Sequence, residues 1–233
     1  MIVALNNKSN LTKQEFNTYQ NELNKITSTS TLILCPSTLN IANFNLGNFH
    51  LGAQNVSKDL AGAHTGEISA SQLSSYDVEY CIVGHSERRK EQQETTQEIA
   101  QKIKNLLKEN IKPILCIGET LEEKKSGQVN DIIEKEINAV TELLNEIEKQ
   151  QLIVAYEPIW SIGTGIIPTN EEISVVIEYI KQLLPMTKVL YGGSANEKNI
   201  DDLKNCSAID GYLLGGLSLK PSELKIFLEK LEN

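Results

Sequence analysis

Nowhere does this chain hold an apolar run approaching the roughly 20 residues that a helix needs to cross a bilayer, so no transmembrane helix is expected. Nor does it open with a basic region, a long apolar segment and a cleavage site. Met1-Ile2-Val3-Ala4-Leu5 reads instead as a strand, and a cytoplasmic protein is expected. Basic charge is scarce: 22 Lys and Arg stand against 31 Asp and Glu, a formal net charge of −9. That balance argues against nucleic acid or an anionic membrane as partner, because such binding needs an extended basic face to displace counterions. The run Arg88-Arg89-Lys90 is too short to reverse it. Cysteine numbers only four (Cys35, Cys81, Cys116 and Cys206), without metal-ligand spacing. Three of them fall in apolar strand runs where Cys acts as a small hydrophobe, so free thiols and no metal site are expected. There is no strong repeat, low-complexity tract or Pro/Gly/Ser-rich linker, and residues 1–233 are expected to form one domain. In such a chain an anionic substrate must be held by local backbone N–H groups and a few cations, against the mean field of the protein.

What the chain does hold is alternation. Apolar runs recur at Ile2–Leu5, Leu32–Cys35, Phe49–Gln54, Tyr80–Gly84, Pro113–Ile117, Leu152–Tyr156, Lys188–Tyr191 and Gly211–Leu214. Between most of them lie segments of helical period with charged faces, such as Ile99–Leu107 and Ile132–Leu144. The polar Thr27-Ser28-Thr29-Ser30-Thr31 reads as a helix-to-strand turn. With 40% hydrophobic residues there is enough apolar material for a sizeable core. Eight strand-helix units fit a closed (β/α)8 barrel, whose reactive groups lie on loops after the carboxyl ends of the strands. An open doubly wound sheet is the structural alternative.

Five stretches carry candidate chemistry at such ends. The run Leu152–Tyr156 is a strand buried on both faces; Pro158 cannot continue its ladder, so Glu157 sits at the carboxyl end. Gly163 and Gly165 free the following backbone to approach an anion, and Thr169-Asn170-Glu171-Glu172 reads as a capping box opening the next helix. An ordinary βα turn is the plain alternative. His85 directly follows the fourth run, just before a helical turn whose positive end disfavours a protonated ring and would keep His85 a neutral hydrogen-bond donor. Asn6 and Lys8 lie just past the first run, with side chains able to share one direction at strand spacing. Tyr191-Gly192-Gly193-Ser194 and Gly215-Gly216 end the last two runs, where close backbone approach can hold a phosphate dianion. Gly62-Ala63-His64-Thr65-Gly66-Glu67 is a loop with two glycines. His50 and His64 read as surface or packing histidines, and Glu122-Glu123-Lys124-Lys125 as a solvated helix face without functional inference.

The string Tyr156-Glu157-Pro158-Ile159-Trp160-Ser161-Ile162-Gly163-Thr164-Gly165 strongly resembles the catalytic-glutamate strand and mobile lid of the triosephosphate isomerase family. Gly84-His85-Ser86-Glu87-Arg88-Arg89 resembles its electrophile motif, and Ala4-x-Asn6-x-Lys8-x-Asn10 its substrate-contacting Asn and Lys. The motifs lie in the family's order and span nearly the whole chain. The resemblance implies a single (β/α)8 TIM barrel that interconverts dihydroxyacetone phosphate and D-glyceraldehyde 3-phosphate, without metal or organic cofactor. It implies Glu157 as base, His85 as donor to the two substrate oxygens, and Lys8 with Asn6 stabilising an enediolate. Gly163, Ser194, Gly215 and Gly216 would grip the phosphate. Glu87 would support Lys8 and Asn6, and Cys116 would pack near the catalytic carboxylate. Thr65 would reach the active-site Asn of a neighbouring subunit, implying a homodimer. Four departures mark the chain: Asn7 where the family usually has Trp, Ser9 where it has Met, Leu217 where it has Ala, and Ile166-Ile167-Pro168 beyond the lid. A different phosphosugar enzyme, or a barrel that only binds phosphate, remain the two rival readings.

Overall fold

A computed structural model describes residues 1–233 except Gly163 and Gly165. Its strands are β1 (Ile2–Asn6), β2 (Thr31–Cys35), β3 (His50–Ala53), β4 (Tyr80–Val83), β5 (Lys112–Ile117), β6 (Ile153–Tyr156), β7 (Lys188–Tyr191) and β8 (Gly211–Leu214). Each pairs in parallel with the next, and β8 returns to β1 with Ile2 opposite Gly211 and Leu5 opposite Leu214. The sheet is therefore a closed barrel, and the open doubly wound alternative falls. Strand ends agree with the apolar runs to within a residue. The short runs work as strand signals here because both faces of each strand are covered, so no polar residue interrupts them.

The two faces bury different sets. Ala4, Ile33, Ile82, Ile114, Cys116, Ala155, Leu190 and Leu213 belong to a cluster made of strand residues alone, which is the barrel interior. Their neighbours Val3, Leu5, Val83, Leu115, Val154 and Val189 belong to the larger cluster that also contains the apolar stripes of the helices. Helix Thr96–Lys108 contributes Ile99, Ile103, Leu106 and Leu107, the stripe expected from its period. The next expected helix is displaced from its pattern: Val129–Thr141 starts before Ile132 and ends before Leu144, and a new helix Glu146–Lys149 begins. Asn145 causes the break, because its side-chain oxygen accepts the N–H groups of Ile147 and Glu148 as an N-cap. Leu144 is still buried, packed from the connection rather than from a helix face. The Thr169 capping box is present as read, with Glu172 returning a bond to the Thr169 N–H at 2.8 Å.

All four cysteines are buried and free. Among the described residues no helix is long and apolar enough to cross a membrane. Leu217 is buried in the helix-facing shell, which accommodates this departure from a small residue.

Barrel closure leaves its mark at Gly211, where a Cβ would stand 1.9 Å from the Ile2 carbonyl oxygen and 2.9 Å from the Ile2 nitrogen. No side chain fits between β8 and β1 at that level. Gly211→Ala is expected to cost about 2 kcal/mol through overpacking, read as a lower urea midpoint at unchanged slope. An unshifted midpoint would show that the two strands separate without penalty at this register.

Candidate active site

The carboxyl ends of β1, β4, β6, β7 and β8 open onto one cavity of about 470 Å³ lined by Asn6, Lys8, His85, Glu157, Ser194, Gly215 and Gly216. Glu157 follows β6 directly and continues its ladder through an N–H bond to the Ile117 carbonyl at 2.7 Å. Its residue is only 2% exposed. Gly118 lies against it so closely that a Cβ there would fall 1.8 Å from the Glu157 carbonyl oxygen, which fixes the backbone of the base from the β5 side. The carboxylate is not left without partners. Oε2 accepts the Ser86 N–H at 3.2 Å and Oε1 lies 3.3 Å from His85 Nε2. Burial and the adjacent Glu157 charge hold the Cys116 thiol in its protonated, packing form, its pKa pushed well above the usual range.

His85 caps the helix Ser86–Glu91, and its Nδ1 accepts the Glu87 N–H at 3.2 Å. A ring nitrogen that accepts a backbone N–H carries no proton, so the proton resides on Nε2, aimed at Glu157 and the cavity. The neutral donor expected from the sequence follows from this bond.

Asn6 and Lys8 reach the cavity by a different route from the one their spacing suggested. β1 ends at Asn6, and Lys8 takes a left-handed conformation with φ +52°, so strand alternation does not align them. The Asn6 side chain does: its Oδ1 accepts the Lys8 N–H at 3.0 Å, and Gln54 anchors the turn by donating to the Lys8 carbonyl at 2.9 Å. A non-glycine residue in this region stores local strain of about 1–3 kcal/mol, held by the surrounding bonds. The Lys8 ammonium pairs with the Glu87 carboxylate, which ties the β1 turn to the helix behind His85.

Ser194 donates its hydroxyl to the Ser161 carbonyl at 2.6 Å, so the β7 loop is joined to the root of the expected lid. Gly163, the lid residue expected to touch phosphate, lies outside the described residues. Thr65 is exposed on its loop and does not line the cavity of its own chain.

Sequence reasoning passed over the group that anchors the lid root. Trp160 donates its indole N–H to Glu119 at 2.7 Å, and the Tyr156 hydroxyl meets the same oxygen at 3.3 Å. Glu119 is 1% exposed, and burial raises its pKa above the usual carboxylate range, against the opposing pull of the Trp160 bond. Lys124 stands 3.8 Å over the Trp160 ring and pairs with Glu172 at 2.8 Å, so the mixed-charge run holds one working cation. The signal for Glu119 was in the sequence: it follows β5 after a glycine, a strand-end carboxylate like Glu157.

A family model described as triosephosphate isomerase matches residues 1–231. A triosephosphate isomerase of Alkaliphilus oremlandii is 40% identical over 238 aligned positions, covering 95% of this chain and 96% of the relative. One of Candida albicans is 37% identical over 244 positions, covering 98% of each. One of Ruthia magnifica is 36% identical over 237 positions, covering 96% of each. With its closed barrel, its strand-end carboxylate facing an imidazole N–H, and likeness over nearly its whole length, the chain belongs to the triosephosphate isomerase family.

Proposed function

We propose that this chain interconverts dihydroxyacetone phosphate and D-glyceraldehyde 3-phosphate, the triose step of glycolysis and gluconeogenesis, with Glu157 as the base. The activity is that of its family. The role of Glu157 rests on one observation above the others: its Oε1 stands 3.3 Å from His85 Nε2 in the cavity that also admits Lys8 and the glycine loops.

In this reading Glu157 takes a proton from the carbon beside the carbonyl. The C–H electron pair becomes the enediolate double bond, and the carbonyl π pair moves onto oxygen. The His85 Nε2–H, the Lys8 ammonium and the Asn6 amide face that oxygen, where charge grows most. Glu157 then returns the proton to the adjacent carbon, while a proton passes between the two oxygens bonded to His85. Only protons move, so no electron donor or acceptor takes part. Backbone N–H groups of Ser194, Gly215 and Gly216 hold the phosphate, which suits a protein whose net charge of −9 offers no general attraction for a dianion. Closure of the segment after Glu157 would expel water and strengthen every electrostatic contact within. A barrel that only binds phosphate would have no use for a buried carboxylate set against an imidazole N–H. Specificity for the three-carbon pair over other short phosphosugars is checked by a coupled assay across that series.

The working unit in this reading is one domain, residues 1–233, acting as a homodimer in the cytoplasm. The exposed Thr65 loop supports the dimer. So does the open cleft beside the site, where Lys8, Gln54, Asn55 and Gln92 could receive the same loop from a second copy. Four buried free thiols suit a reducing compartment.

Glu157→Gln keeps the shape of the side chain and removes its basicity. It is expected to retain its circular dichroism while kcat falls by about a thousandfold, a typical contribution for a positioned base. Turnover near the unmodified level in a coupled steady-state assay would contradict the role. In sedimentation equilibrium the protein is expected at twice its 25.9 kDa chain mass. A species that stays at the chain mass at micromolar concentration and still turns over at full rate would contradict the dimer.

A further inference from the structure

A polar cluster outside the reacting groups joins the two ends of the substrate site. Asn7 is fully buried, and its Nδ2 lies 3.2 Å from Ser218 Oγ, 3.4 Å from the Ser218 carbonyl and 3.3 Å from the Tyr19 hydroxyl. A carbonyl oxygen only accepts, so the amide presents its NH₂ to this corner. Tyr19, on the helix Lys13–Leu23, donates its hydroxyl to the same Ser218 carbonyl at 2.5 Å. Ser218 is itself fully buried and donates its Oγ to the Asn6 carbonyl at 2.9 Å. Burial pushes the Tyr19 phenol above its ordinary range, so it remains a donor.

Three segments meet at this point. One is the exit of β1, with Asn6 and Lys8. The second is the helix carrying Tyr19. The third is the 3-10 turn Gly216–Leu219, whose first residue is a phosphate-holding glycine and whose third is Ser218. The cluster spans 211 residues of sequence and bridges the groups that face the reacting oxygen to those that face the phosphate.

Asn7 is a costly way to fill this space. Its Oδ1 is buried without a hydrogen-bond partner among the described residues, a penalty that Leu, of similar size, would avoid. What the amide supplies is its donor side. We propose that Asn7, Tyr19 and Ser218 are positioning residues that set the separation between the phosphate grip at Gly215 and Gly216 and the Asn6–Lys8 pair. This rests on the roles given to those groups under the proposed function.

Asn7→Leu, Tyr19→Phe and Ser218→Ala test it by steady-state kinetics, inhibition by inorganic phosphate and thermal melting. In each variant KM for the triose phosphate and the inhibition constant of inorganic phosphate are expected to rise together by about tenfold. Asn6 and Lys8 also face the developing charge, so kcat should fall as well, but by less than KM rises, because Glu157 and His85 lie on other strands. Asn7→Leu should melt no lower than the unmodified protein, because it removes the unpartnered acceptor. Tyr19→Phe with Ser218→Ala should lose less than the product of the two single effects, since both act on one cluster. Melting shifts with unchanged KM and phosphate inhibition would overturn the proposal, leaving the cluster as packing. Loss confined to kcat would overturn it equally. If Asn7→Leu fails to fold, Tyr19→Phe, which removes one oxygen, decides the matter. An unmodified protein that neither isomerises triose phosphates nor responds to phosphate would instead refute the parent assignment.

Discussion

A carboxylate kept almost out of water and facing the N–H of a neutral imidazole is the constraint around which the site is built. Burying an unpaired carboxylate is costly, so Glu157 is met by two donors, the Ser86 N–H and the His85 ring. Neither donor brings a full positive charge. The Glu87 N–H keeps the ring neutral by occupying Nδ1, and the Lys8 ammonium, one of three lysines lining the cavity, is itself balanced by Glu87. The base is held firmly yet is not locked into a strong ion pair, which leaves it able to take a proton from carbon.

The closed barrel makes this arrangement possible because it brings strand ends together without any strand carrying the whole site. β4 supplies His85, β6 supplies Glu157, β1 supplies Asn6 and Lys8, and the last two strands supply the glycine loops. Backbone fit is tight where two strands press together. Gly211 admits the Ile2 carbonyl at the β8–β1 seam, and Gly118 admits the Glu157 carbonyl beside the base. Behind these groups lie polar clusters that reach across the sequence: Trp160, Tyr156 and Glu119 at the lid root, and Asn7, Tyr19 and Ser218 between the two ends of the substrate site.

The strands were legible because each is a short apolar run, and a strand covered on both faces has no other pattern to show. Glu157 and His85 were legible because each directly follows such a run. What the sequence hid is what depends on partners far along the chain. The alignment of Lys8 with Asn6 comes from a left-handed turn fixed by a side-chain bond, which strand spacing could not show. Glu119 gains its place from Trp160, 41 residues away, and Lys124 from a ring that no local charge pattern anticipates. Asn7 stood out in the sequence only as a departure from the family's usual Trp, and it is a buried donor whose partner lies 211 residues on. The helix break at Asn145 is a cap competing with an unbroken apolar period, and the cap wins.

The central claim is that base, donor and phosphate loops converge on one small molecule. It is tested most directly by a crystal structure with a two-carbon phosphate-bearing carboxylate, whose planar anion imitates the enediolate. Its carboxylate is expected against Glu157, His85 Nε2 and the Lys8 ammonium, with its phosphate on the N–H groups of Ser194, Gly215 and Gly216. A ligand bound elsewhere, or one whose phosphate lies against Glu157 with His85 turned away, would contradict it.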